Sequence, residues 1–168
     1  MFIVEDGSGK TDSNSYITTA FAGAYHSSLG NSAWDTYSLP VQEKSCVKAT
    51  MFIDLSFKLS GVKNTREQGL EFPRTGCLDK NNYIIPDNEV PVEVKKATAE
   101  CALLFLEQPD LSADNLERIV KRKKVGPLET EYETSQDFDK TFETIKNHMR
   151  GIGIFNRYSS NSGMAMRM

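Results

Sequence analysis

The sequence predicts a mainly α fold, a small helical bundle with a β-hairpin, a long loop and an extended C-terminal arm. Four stretches repeat apolar residues every three or four positions, residues 118–134 alternate around a Gly-Pro pair, and residues 60–86 are rich in Gly, Asn, Pro and charge. With 168 residues, we expect one domain at 1–150, with the hairpin near 118–134, and an arm at 151–168.

The first two helices are predicted from their start signals and their apolar spacing. Thr18 can cap a helix over residues 19–29, because its hydroxyl can accept a hydrogen bond from the first turn. Ser38 or the residues near Pro40 begin the second helix. Its predicted apolar stripe is Val47, Met51 and Leu55, widened by Cys46, Ile53 and Phe57. We expect this second helix to be central to the core.

The third and fourth helices lie on either side of the predicted hairpin. Pro91 favours a helix start, and the third helix should run to Gln108, before Pro109. Its inward-facing residues are predicted to be Val94, Ala97, Cys101, Leu104 and Phe105. The fourth helix is amphipathic, with apolar residues Phe138, Phe142, Ile145 and Met149. Between the second and third helices, residues 60–86 form a long loop, and long loops in small domains are usually functional.

Residues Gly7-Ser8-Gly9-Lys10-Thr11 resemble the end of a phosphate-binding P-loop. The full motif needs another glycine, at the position that Val4 occupies, and a longer buried strand before it. We therefore expect a polar turn after a short N-terminal strand, with nucleotide binding as the weaker alternative.

The predicted hairpin contains a run of four basic residues. If Val125 pairs with Leu128, most of this charge is neutralised within the hairpin. The cross-strand pairs are then Lys124 with Glu129, Arg122 with Glu131, Lys123 with Thr130, and Lys121 with Tyr132. This arrangement favours a structural role for the basic run, and phosphate contact by Lys121 and Lys123 is the alternative.

Composition argues against several functional classes. The chain has 20 Lys and Arg against 23 Asp and Glu, so it is not a strongly basic nucleic-acid binder as a whole. Its three cysteines form no CxxC pair, and we expect reduced thiols, no disulfide framework and no zinc site. No apolar run suggests secretion or a membrane span. His26 and His148 are expected at the surface, no reaction motif is present, and we predict no enzyme activity and no cofactor.

The arm after residue 150 contains no acidic residue but keeps several apolar ones. Its candidate partner-docking residues are Ile152, Ile154, Phe155, Arg157 and Tyr158. The sequence allows either a disordered end or an arm that becomes ordered against a partner.

A series of short motifs over residues 2–149 resembles a family of tailed-bacteriophage head-to-tail connector, or adaptor, proteins. The motifs are Ile3-Val4-Glu5-Asp6-Gly7, Asn14-Ser15-Tyr16-Ile17-Thr18, Ala33-Trp34, Lys48-Ala49-Thr50, Phe72-Pro73-Arg74-Thr75-Gly76, Ile85-Pro86 to Val90-Pro91, Ala97-Thr98-Ala99-Glu100, and Lys123-Lys124-Val125-Gly126-Pro127 with Tyr132. Some members carry a label as DnaT-like single-stranded DNA-binding proteins, which is the alternative function.

The resemblance implies a structural virion protein at the head-tail junction, made in the host cytoplasm. It implies a homo-oligomeric ring, a dodecamer, between the portal protein and a tail or nozzle protein, with transient contact to passing double-stranded DNA and none to a membrane. A ring subunit needs two different side surfaces, which the long loop and hairpin could supply. The predicted assembly residues are Phe72, Pro73, Arg74, Lys121, Arg122, Lys123, Lys124, Glu129, Glu131 and Tyr132.

Overall fold

The computed structural model describes residues 1–109 and 136–155. The described helices are α1 (Thr19–Ser28), α2 (Leu39–Ser56), α3 (Val92–Glu107) and α4 (Gln136–Met149), with a short 3-10 helix at Ala33–Thr36. The described strands are β1 (Phe57–Leu59), β2 (Val62–Lys63), β3 (Arg74–Thr75) and β4 (Gly153–Phe155). The predicted mainly α fold is confirmed. The predicted hairpin near 118–134 lies outside the described residues.

Helix α3 lies at the centre of the fold and packs against α1, α2 and α4. Small side chains on α3, including Ala97, Cys101 and Ala102, are fully buried and allow the neighbouring helices to approach closely. The predicted inward-facing residues of this helix are all buried, as local apolar spacing indicated. From α4, Phe142, Ile145 and Met149 are buried as predicted.

Helix α2 is part of the core, but its predicted apolar stripe is only partly correct. Cys46, Ile53 and Phe57 are buried as predicted, whereas Met51 and Leu55 are 60% and 37% exposed. The buried face also includes the small residue Ala49, so the spacing of large apolar residues alone placed the centre of the stripe on the wrong side of the helix. Within the core, the Phe52 ring packs edge-on against the Phe105 and Phe142 rings, at centroid distances of 6.2 and 6.3 Å.

Helix α1 begins as predicted, because the Thr18 side chain accepts a hydrogen bond of 3.0 Å from the backbone N–H of Phe21. The prediction that His26 is a surface residue is wrong. Its side chain is 1% exposed, stacks on Trp34, and lies 3.0 Å from the carbonyl oxygen of Ala99, to which Nε2 donates. The residues directly after His26 in sequence are polar, so its burial could not be predicted from the local pattern. In the structure the 3-10 helix covers His26.

The chain after α4 returns to the body of the domain. Strand β4 pairs antiparallel with β1, with Phe57 opposite Phe155 and Leu59 opposite Gly153. Ile152 is 1% exposed, and its carbonyl accepts hydrogen bonds from Ser60 N–H and Oγ–H at 3.0 and 2.9 Å. Residues 151–155 of the predicted arm are therefore neither a disordered end nor ordered against a partner, because they pair with their own chain. The free edge of β1 supplies this pairing.

Candidate functional site: the loop between α2 and α3

The N-terminal turn that resembles a P-loop binds a carboxylate of its own chain. Glu5 is 2% exposed, and its carboxylate accepts backbone N–H bonds from Gly7, Gly9 and Lys10 at 2.9, 2.9 and 3.0 Å. Ser13 Oγ donates a fourth bond of 2.9 Å. Such convergent amides form an anion-binding nest, and here the anion is internal. This geometry supports the predicted polar turn, since the donors that a phosphate would need are already used.

A second polar cluster joins the N-terminal segment, α2 and the long loop. Asp54 accepts hydrogen bonds from the Tyr16 hydroxyl and, at 3.1 Å, from the Glu71 N–H. The Phe72 N–H donates to the Tyr16 oxygen at 3.1 Å. Burial raises the pKa of Asp54 to about 6, although both of its hydrogen bonds act in the opposite direction. These contacts fix one side of the loop to α2.

Arg74 fixes the other side of the loop. Its guanidinium donates to the carbonyls of Ser60 and Gly61 at 2.6 and 2.8 Å, and to the Glu71 carboxylate at 2.6 Å. Lys63 lies 3.5 Å from the second oxygen of Glu71. Arg74 is 8% exposed, so its charged group is held inside the loop by carbonyl and carboxylate oxygens. The loop is thus a folded element with its own polar interior.

The far end of the loop is a tight turn with an exposed apolar surface. Asp79 Oδ1 accepts backbone N–H bonds from Asn81 and Tyr83, at 2.7 and 2.9 Å, and Asn82 takes a positive φ of 66°. Tyr83 and Ile84 are 72% and 79% exposed. We call residues 79–84 the loop tip. An apolar surface that is held rigidly and left exposed is typical of a protein contact.

A polar cluster of Tyr25, Glu100 and His148 joins α1, α3 and α4, and it does not form a recognisable catalytic set. The Tyr25 hydroxyl donates to Glu100 at 2.7 Å and accepts from His148 Nε2 at 3.2 Å. Burial lowers the pKa of His148 and raises that of Tyr25, so both favour their neutral forms. The cluster contains no nucleophile, and within 1–109 and 136–155 no group of three His, Cys, Asp or Glu residues is arranged to hold a metal.

The cysteines in this part of the chain are structural. Cys46, Cys77 and Cys101 are free and buried. Burial raises the pKa of the Cys46 thiol to about 12 and raises that of Cys101 well above its usual range. Both thiols therefore stay protonated and unreactive near neutral pH.

The three predicted assembly residues that the structure describes do not face outward. Phe72, Pro73 and Arg74 are buried within their own subunit, so they support the loop from inside. The peptide bond between Phe72 and Pro73 is cis. The other predicted assembly residues lie outside the described residues: Lys121, Arg122, Lys123, Lys124, Glu129, Glu131 and Tyr132.

The predicted docking arm is described only at its beginning. Ile152 is buried, and Ile154 and Phe155 contribute backbone to β4. Arg157 and Tyr158 lie outside the described residues. No helix in the described ranges is both long and apolar enough to cross a membrane.

Sequence reasoning missed Glu5, Tyr16 and Asp54. The one usable signal was the placement of Gly7 and Gly9 shortly after Glu5, because glycines with positive φ let successive amides converge on one anion.

A comparison with known families gives a match over the whole chain. The family model described as "Putative DnaT-like ssDNA binding protein" matches residues 1–168. Neither a curated protein nor a solved structure gives a significant match.

Proposed function

The chain belongs to the family described as "Putative DnaT-like ssDNA binding protein", and we propose that it is a non-enzymatic head-to-tail adaptor of a tailed bacteriophage. In this proposal, copies of the chain form a ring between the portal protein and a tail or nozzle protein. Double-stranded DNA passes through the ring, and the protein is a virion component made in the host cytoplasm.

The observation that carries the adaptor proposal is the rigid loop between α2 and α3. Arg74, Tyr16 and Asp54 fix its base from inside, while Tyr83 and Ile84 at its tip stay exposed. Preorganised apolar surface favours protein association because little conformational entropy is lost on binding. A loop built this way suits a subunit that must contact its neighbours in a ring.

The placement of aromatic residues also favours assembly over a DNA-binding groove. Single-strand binders stack bases on exposed aromatic rings along a basic groove. Here the rings of the core are buried: Tyr16, Trp34, Phe52, Phe57, Phe72, Phe105 and Phe142. Among the aromatic residues whose side-chain exposure the structure describes, Tyr83 is the one that is strongly exposed. The net charge of −3 suits a channel through which DNA slides without being held.

Single-stranded DNA binding is the second candidate function, and the family description favours it over the adaptor proposal. Under this candidate, the basic run Lys121 to Lys124 would contact phosphates. The exposed lysines Lys44 and Lys48 on α2 could add to the same electrostatic surface.

Two measurements on the full-length protein separate the candidates. Electron micrographs of the protein mixed with its portal should show rings on the portal if it is an adaptor. Fluorescence anisotropy with a labelled oligonucleotide should then show weak, salt-sensitive binding that does not depend on sequence. Sub-micromolar affinity for single-stranded DNA at physiological salt, without rings on the portal, would support the second candidate instead.

A further inference from the structure

The outward face of α2 carries an exposed stripe of mixed apolar and basic residues. Val41, Lys44, Lys48, Met51 and Leu55 are all exposed and follow one another at spacings of three or four, which places them on one side of the helix. We call this set the α2 stripe. Neither lysine has an ion-pair partner among the described residues, and the acidic residues of α2 lie on other sides of the helix. The stripe is therefore apolar and positively charged.

The loop tip and the residues directly after it, 85–89, together carry the opposite net charge beside a similar apolar surface. Tyr83 and Ile84 are exposed, and Asp87 and Glu89 follow within five residues of Ile84, exposed and without an ion-pair partner in the described ranges. Asp79, Asp87 and Glu89 against Lys80 give residues 79–89 a net charge of −2. The backbone is held in place because Ile85 N–H donates to the Cys77 carbonyl at 3.0 Å. The loop tip with residues 85–89 is therefore apolar, negatively charged and preorganised.

We infer that the loop tip of one copy of this chain docks on the α2 stripe of a neighbouring copy. Both surfaces stay exposed within one subunit, so neither satisfies the other internally. Apolar residues at the centre with opposite charges around them are the usual composition of a specific interface. Because the two surfaces differ, the contact is heterologous. A heterologous contact generates a ring when the rotation from each subunit to the next closes on itself. This inference rests on the proposed ring and assigns its contact.

Charge reversal of each surface tests the contact. One full-length variant carries Lys44→Glu and Lys48→Glu, and a second carries Asp87→Lys and Glu89→Lys. A third combines all four substitutions, and a control carries Lys58→Glu and Lys95→Glu. All six substituted residues have solvent-accessible side chains, so circular dichroism should show an unchanged fold. Analytical ultracentrifugation over a range of concentrations then gives the oligomeric state of each protein.

We expect the wild type and the control to assemble, and each single-surface variant to associate at least about tenfold more weakly. The variant with all four substitutions should regain assembly, since the charges of its two surfaces are exchanged and again complementary. An equimolar mixture of the two single-surface variants should also regain assembly, with the two variants alternating around the ring. The acidic tip of the first variant meets the basic stripe of the second, and the basic tip of the second meets the acidic stripe of the first. Each variant alone associates weakly, since its tip and its stripe carry charge of the same sign.

Three results would overturn the inference in different ways. If the wild type assembles and both single-surface variants assemble equally well, the ring uses other surfaces and only this contact is wrong. If the wild type stays monomeric at every concentration, the ring itself fails together with the contact. If Lys44→Glu with Lys48→Glu abolishes single-stranded DNA binding and leaves assembly intact, the α2 stripe is a DNA surface.

An uncharged variant tests the apolar part of the contact. Tyr83→Ser with Ile84→Ser should weaken assembly without any change of charge.

Discussion

The hydroxyl of Tyr16 donates a hydrogen bond to the carboxylate of Asp54, across 38 residues of sequence. The same hydroxyl oxygen accepts the N–H of Phe72, and the second oxygen of Asp54 accepts the N–H of Glu71. Two side chains thus hold two successive peptide groups of the long loop. The position of the loop tip depends on this junction, because it anchors the loop to α2.

Removing the Tyr16 hydroxyl should destabilise the protein. Tyr16→Phe leaves the buried N–H of Phe72 without an acceptor and takes one donor from Asp54. The expected loss in free energy of unfolding is about 1–3 kcal/mol. Tyr83→Phe is the matched control, because Tyr83 is 72% exposed and its hydroxyl should contribute little. Urea denaturation of both variants measures the difference, and equal stabilities would argue against the junction.

Asp54 should make stability depend on pH in the acid range. Its pKa is raised from 3.8 to about 6, mainly by burial, so folding favours the protonated form. The stabilisation that protonation contributes is complete below pH 3.8 and is lost as the pH rises through about 6. Between these values, the contribution of Asp54 to the free energy of unfolding should fall by at most about 1.4 kcal/mol per pH unit.

Asp54→Asn removes this titration and provides the comparison. The variant should be less stable throughout, because its amide NH2 group cannot accept the Glu71 N–H. The informative quantity is the stability difference between wild type and variant, which should change between pH 4 and pH 6 and level off above about 6.5. Parallel stability curves for the two proteins would mean that Asp54 does not titrate in this range.

Removal of the Glu5 side chain should strongly destabilise the protein, because the anion-binding nest then loses its internal anion. Glu5→Ala leaves three backbone N–H groups without their acceptor, whereas the Ser13 hydroxyl can still donate to the Lys10 carbonyl, and we expect a loss of at least about 1–3 kcal/mol. Added acetate should restore part of the stability, since it can occupy the same nest. Glu67→Ala is an exposed control that should change little and should not respond to acetate. Failure of acetate to distinguish the two variants would count against a vacated anion site.

Gly7 and Gly30 allow backbone strain to be separated from steric contact. Both have positive φ, 104° and 73°, so alanine should cost about 1–2 kcal/mol at either position. A Cβ on Gly7 would also lie 1.9 Å from the carbonyl oxygen of Asn88, whereas one on Gly30 meets nothing within 4 Å. Gly7→Ala should therefore have a clearly lower melting temperature than Gly30→Ala. Similar melting temperatures would show that the N-terminal turn does not pack on residue 88.

The helices were predictable because their signals are local. The Thr18 cap, the Pro91 start and the apolar spacing of α3 each depend on residues within one or two turns. The polar junctions were not predictable, since Tyr16 and Asp54 are distant in sequence and each alone resembles an ordinary surface residue. The same holds for Arg74, whose motif suggested an outward contact although its guanidinium binds carbonyls inside the loop. Antiparallel pairing of β4 with β1 has no local signal in a segment rich in glycine.

The C-terminal segment should have two parts with different roles in folding, which two truncations can separate. Deletion of residues 156–168 leaves β4 and the Ile152 contacts intact, so the free energy of unfolding should stay close to that of the full-length chain. Deletion of residues 151–168 removes the buried Ile152 side chain, the two bonds from Ser60 and the partner of β1. Loss of one buried isoleucine side chain alone costs about 2–5 kcal/mol, so this shorter protein should be strongly destabilised.

Ile152→Ala in the full-length chain is the control for truncation itself. It should lower the free energy of unfolding by about 2–5 kcal/mol while the backbone pairing of β1 and β4 remains. Urea denaturation compares all four proteins, and portal binding is then measured only for those that fold. If the 156–168 deletion folds normally but binds portals more weakly, the remainder of the arm acts on a partner. If the 151–168 deletion is as stable as the full-length protein, β4 contributes nothing to the fold and its pairing with β1 is dispensable.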